Sequence, residues 1–151
     1  MELPPIHHNA LVFVGDGEKA IFLRNVGDSH AKLKLAVERV FEQENPATHE
    51  QGTDRPGRKQ GGDGVSQSAV GETDWHQLAE DRFADEIAKT LFRLAHAQRF
   101  QELIVVAPPK VLGRLRGSLH KEVTDRITAE IPKELTTHSL PDIESVLRSL
   151  Q

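Results

Sequence analysis

The chain has 151 residues, a formal net charge of -4, 37% hydrophobic residues and no cysteine. That length holds one ordinary core, and the acidic balance argues against a protein that is basic all over in the manner of a general polyanion binder. The missing cysteines exclude disulfides, thiolate metal sites and cysteine nucleophiles, and with neither a leader pattern nor an apolar run of spanning length the expectation is a cytoplasmic protein without membrane contact.

The apolar run Ala10–Val14, the turn residues Gly15-Asp16-Gly17 and the β-favouring run Ala20–Leu23 predict a β-hairpin. A second turn at Asn25-Val26-Gly27-Asp28 leads to Leu33, Leu35, Val37 and Val40, which alternate with Lys34, Ala36 and Glu38 and predict a half-exposed third strand. From Gln43 to Asp74 the chain is rich in glycine and polar residues, including the tract Gly57–Gly64. A loop that long inside one domain is uncommon and reads as a functional arm or a disordered spacer.

Asp74 then stands where a helix cap is expected, with Gln77 three residues on. Ala79, Phe83, Ala84, Ile87, Ala88, Leu91, Leu94 and Ala95 recur at spacings of three and four, giving a long helix with one buried face. Trp75 beside the cap reads as an apolar anchor for the returning loop. Leu103–Ala107 is a continuous apolar run suited to a central strand, and Pro108-Pro109 ends it. A short helix over Lys110–Leu119 follows. Val123, Ile127 and Ile131 fit either an edge strand or a helix, with the strand preferred. Ser139 caps a last helix carrying Pro141 in its first turn and Ile143, Val146, Leu147 and Leu150 on its apolar face.

This order, three strands, an insertion at 43–74 and then α, β, α, β, α, predicts a single α/β domain over 1–151. A mixed sheet with helices packed on it is expected, on a ribonuclease H-like skeleton. Within it, Arg55, Arg58 and Lys59 form a basic tip before Gly61 and Gly62, suited to nucleic-acid phosphates. A solvated spacer, its cations diluted by Glu50, Asp54 and Asp63, is the alternative. Pro109, Lys110 and Arg114 lie at the carboxyl end of the central strand, where open sheets often bind ligands. Asp16 occupies the place of a nuclease metal ligand, but only Glu38 and Glu102 offer themselves as partners, and the hairpin turn already accounts for it. His7 and His8 are adjacent and on a strand would point to opposite sides; His76, His96, His120 and His138 are single surface or helix-end residues. Neither a cofactor motif nor a metal-ligand set is expected.

Several of these stretches together are similar to one family. The hairpin with Asp16-Gly17 and Ala20-Ile21-Phe22, the tract Gly61-Gly62 with Ser68-Ala69, Glu80-Asp81-Arg82-Phe83-Ala84, Val105–Pro109, and Leu112-Gly113 with Leu115-Arg116 resemble the bacterial host attachment proteins. These are related to the middle domain of archaeal and eukaryotic peptide-chain release factors. The resemblance implies the release-factor middle-domain fold and a Gly-Gly-Gln-like loop just before the long helix. It also implies the ribosome or RNA as partner, with a protein partner as the alternative. Gly61 and Gly62 match that loop, and Asp63 stands at the glutamine position, where an anion would meet RNA. A non-enzymatic RNA contact is therefore expected ahead of a peptidyl-tRNA hydrolase, a metal-dependent nuclease or a protein-interaction module.

Overall fold

Alternation along β1 (Leu11–Gly15) sends Leu11 and Phe13 to one side and Val12 and Val14 to the other, and all four are buried. Such a strand must be covered on both faces. A computed structural model describes residues 2–28, 32–43 and 61–150. Among the described residues β1 is followed by β2 (Lys19–Asn25), β3 (Leu35–Glu42), α1 (Gly61–His96), β4 (Leu103–Val106), α2 (Pro109–Arg116), α3 (Lys121–Thr124), β5 (Ile127–Ile131) and α4 (Leu140–Ser149).

The strands form one five-stranded sheet in the order β3-β2-β1-β4-β5. β1, β2 and β3 make an antiparallel meander, whereas β1–β4 and β4–β5 are parallel. This is the mixed α/β sheet with packed helices expected from the order of elements.

On one face Leu11, Phe13, Phe22, Leu103 and Val105 meet Phe83, Ile87 and Leu91 of α1, Leu112 and Leu115 of α2, and Val123 of α3. Phe13 and Phe22 cross edge to face at 5.5 Å. On the other face Val12, Val14, Leu23, Ile104 and Val106 meet Ile143 and Leu147 of α4, together with Leu3 and Ile6 of the N-terminal arm. The sheet is thus the middle layer of three, and its central strands are dry on both sides.

Four expectations change in detail. The long helix begins at Gly61, so Asp74 lies inside it and caps nothing, and the insertion expected at 43–74 narrows accordingly. Local propensity argued otherwise, because each glycine in a helix costs about 1 kcal/mol relative to alanine. Yet no proline occurs between Pro56 and Pro108, and extending an existing helix adds a hydrogen bond per residue without a new nucleus. Residues 44–60, which carry Arg55, Arg58 and Lys59, lie outside the described residues. Trp75 accordingly sits within α1, with the Arg82 guanidinium 5.6 Å from its ring centroid two turns on.

The period-two pattern of β3 is interrupted where the β2–β3 register shifts between Phe22 and Leu23, leaving Glu38 between the paired residues Val37 and Arg39. The shift keeps Leu35, Val37 and Val40 on one face, where Leu35 is buried while Val37 and Val40 are 48% and 52% exposed. The four-residue spacing of Val123, Ile127 and Ile131 spans two elements. Val123 lies on α3, which His120 caps by accepting the Glu122 amide, and the other two bound edge strand β5. The helix expected over Lys110–Leu119 starts one residue earlier and ends at Arg116.

Candidate functional site

Parallel pairing puts the carboxyl ends of β1 and β4 at one end of the sheet and their amino ends at the other. Each end carries a cleft.

At the carboxyl end, Asp16 follows β1 directly. Its Oδ1 accepts the amides of Glu18 and Lys19, both at 2.7 Å, and its Oδ2 accepts the hydroxyl of Thr136, also at 2.7 Å. Thr136 is only 3% exposed. Asp16 therefore closes the hairpin turn and ties it to the loop before α4. The cleft around it holds about 660 Å³ and is lined by Gly17, Glu18, Lys19, Glu42, Gln43, Glu80 and Glu134.

Glu80 approaches so near to the turn that a Cβ on Gly17 would stand 2.8 Å from its Oε2. The other oxygen of Glu80 forms an ion pair with Arg114 at 3.1 Å, and Arg114 Nε lies 2.9 Å from Asp81. Arg114 is 14% exposed on its side chain. It binds α2 to α1, one turn on from Pro109 and Lys110, which are exposed at the start of α2.

The carboxylates offered as partners of Asp16 do not converge on it either. Glu102 precedes β4 and Glu38 lies against Arg24, both toward the amino end, one strand length or roughly 15 Å away. Among the described residues no group of three or more histidine, aspartate or glutamate side chains could hold a metal ion. Gly61 and Gly62 are the first residues of α1.

The amino-end cleft holds about 450 Å³ and is lined by His7, His8, Asn9, Arg24, Gln98, Arg99 and Glu102, among others. Its frame is built by two side chains. Buried Asn25 donates its amide to the carbonyls of Ile6 and His7 and accepts the amides of Gly27 and Lys34, which anchors the arm that carries the histidines. Arg24, 12% exposed on its side chain, grips Glu38 through Nε and Nη2 at 2.9 and 3.0 Å. Its Nη1 donates to the carbonyls of Asn9 and Arg99, both at 2.9 Å.

The Arg24 guanidinium holds the Glu38 carboxyl below the usual carboxylate range, outweighing partial desolvation, and Arg39 and Arg99 add to the effect. Asn9 and Gln98 have φ of 72° and 59° and are the only non-glycine residues with positive φ among those described. Gln98 owes this to its place after α1. Its amide bonds the Ala95 carbonyl and the Arg99 amide bonds that of Leu94, a Schellman ending.

His7 and His8, expected on opposite sides of a strand, both line this cleft because they precede β1 and enter the turn that leads into it. His7 Nδ1 is 2.7 Å from Glu102 and His8 Nδ1 is 2.8 Å from the Gly27 carbonyl. Both partners only accept, so each ring carries its proton on Nδ1 and keeps Nε2 free of these contacts. Sequence reasoning missed Arg24, Gln98 and Arg99. Only the dipeptide His8-Asn9, with an asparagine suited to left-handed backbone, marked the turn.

No curated protein matches the chain. A solved structure described as "Archaeal protein" is similar to it at 11% identity with a TM-score of 0.46, covering 93% of this chain and 36% of that one. The chain thus spans about a third of that protein's length. Residues 9–147, from the turn before β1 into α4, match the family described as Bacterial archaeo-eukaryotic release factor family 12, and the chain belongs to that family.

Proposed function

We propose that the protein is a non-enzymatic cytoplasmic factor related to translation, which contacts ribosomal or transfer RNA through Arg55, Arg58, Lys59, Gly61 and Gly62. Membership of a release-factor-like family over residues 9–147 carries this reading. Gly61 and Gly62 are the first residues of the long helix rather than part of a loop before it, so the contact on this reading lies where the cations Arg55, Arg58 and Lys59 lead into that helix. The narrower kinship with host attachment proteins belongs to the same reading, with any effect on attachment following indirectly from translation.

Two features weigh against chemistry at this chain's own residues. Asp63 stands where a release factor would carry glutamine, and the Asp16 carboxylate already accepts three hydrogen bonds. No helix among the described residues is long and apolar enough to cross a membrane.

Co-sedimentation with bacterial ribosomes at low and high salt tests the proposal, with a variant carrying Arg55→Glu, Arg58→Glu and Lys59→Glu beside the natural chain. Salt-sensitive binding that the variant loses supports it. Binding that survives the triple charge reversal, or no binding by the natural chain, overturns it.

A second reading rests on β3. This edge strand exposes Val37 and Val40, and an open apolar edge suits pairing with a protein strand. Val40→Lys would abolish such a complex and leave ribosome binding untouched.

A further inference from the structure

We infer that the amino-end cleft is a second, separate binding site, for the phosphodiester backbone of a single RNA strand held by Arg99, His8 and the amides around them. The inference rests on the RNA reading above and assigns it a contact on the folded body, at the end of the sheet remote from Asp16.

The two ends of the sheet differ in charge. The carboxyl-end cleft sets Asp16, Glu18, Glu42, Glu80 and Glu134 against Lys19 alone, so it repels a polyanion. The amino-end cleft sets Arg99 against Glu102, with Arg24 paired to Glu38 and Arg39 close by, so it lacks the acidic excess of the other end. In a chain of net charge -4, an anion approaching the body is steered toward the amino end.

The cleft is also built in advance. Two residues with left-handed backbone line it, and one guanidinium bonds the carbonyls of both turns. Both turns are thus held in one arrangement before a ligand arrives. Arg24 is spent on this task and on Glu38. It is a positioning residue, and the exposed Arg99 is the cation available to a ligand.

Gln98 and Gln101 line the cleft beside Arg99, and the Gln101 amide donates to Gln98 Oε1 at 3.1 Å. The imidazoles of His7 and His8 are fixed through Nδ1, to Glu102 and to the Gly27 carbonyl. A guanidinium and amide donors on a fixed frame are what a phosphate oxygen requires. Aromatic platforms for stacking bases do not line the cleft apart from the buried Phe100, so contact with the backbone and indifference to base sequence are expected.

The test is fluorescence anisotropy of a labelled mixed-sequence RNA ten-mer titrated with the full chain across a salt series. The natural chain is set beside Arg99→Gln, Arg99→Glu, His8→Ala and the triple charge reversal at 55, 58 and 59. Thermal melts confirm that each variant is folded. Removing one phosphate contact should lower the salt slope by about 0.7 and weaken binding about equally on every sequence.

Loss of about tenfold in Arg99→Glu with a smaller loss in Arg99→Gln and His8→Ala supports the cleft. If the triple reversal abolishes binding and the Arg99 variants bind as the natural chain does, the cleft is overturned and the loop reading stands. If the Arg99 variants lose binding and the triple reversal does not, the cleft stands and the loop reading falls. No RNA binding by the natural chain, or equal binding of a poly-glutamate peptide, overturns the cleft as a phosphate site.

Discussion

Asn25 shows how much one buried amide can hold. Its side chain satisfies two carbonyls of the N-terminal arm and two amides of the β2–β3 connection. Each buried group left without a partner costs about 1–3 kcal/mol. Asn25→Ala is therefore expected to lower stability by about 3 kcal/mol or more in urea denaturation, and to release the His7-His8 segment. Glu38 gives a pH-dependent counterpart. Its carboxyl is depressed in the folded state by Arg24, so the native state binds this proton less readily than the unfolded chain. The stability it contributes is complete above the unfolded carboxylate range and is lost as pH falls through the depressed folded value. Thermal melts from pH 6 down to pH 3 should show the natural chain losing more stability than Glu38→Gln, whose curve is flatter across that window. Because Glu38 is partly exposed, the difference is small and shrinks with added salt.

Phe83 stands at the centre of the contact between α1 and the sheet, buried with Phe13, Phe22 and Ile87. Phe83→Ala should cost about 3–5 kcal/mol through the cavity it leaves, read as a shift of the denaturation midpoint. An unchanged midpoint would place the buried face of α1 elsewhere. That face was legible in the sequence because Ala79 to Ala95 repeat at helical spacing, and β1, β4 and α4 were legible for similar reasons of period and capping. The first half of α1 was not, since its glycines speak against a helix locally while the extension depends on the packed half that follows. The interruption in β3 was hidden too, because a register shift is decided by the partner strand. The clefts were least legible of all. Asp16 was visible as a turn residue, but Thr136, which takes its second oxygen, lies 120 positions on. Arg24 and Arg99, Glu80 and Arg114, and His7 and Glu102 meet only through the sheet order, and single residues of common type carry no mark of such partners.

At the scale of the molecule, the sheet separates two apolar layers that share no side chain. Substitutions on opposite layers should then add. Leu147→Ala on the α4 side and Phe83→Ala on the α1 side are expected to sum within about 0.5 kcal/mol in a double variant, and a larger coupling would mean that strain crosses the sheet. Among the described residues the charges divide along the other axis, acidic at the carboxyl ends of the strands and near balance at the amino ends, so a polyanion meets less repulsion at the amino end. The central pairing of β1 with β4 also sets a timetable for synthesis. Leu11 and Leu103 are neighbours in the sheet, yet at about 5–20 residues per second roughly 5–20 s separates their translation. The meander has time to close within that interval, while the other edge of β1, apolar from Leu11 to Val14, waits for its strand. Until β4 emerges the nascent chain carries an open template of the kind that chaperones shield and aggregates exploit.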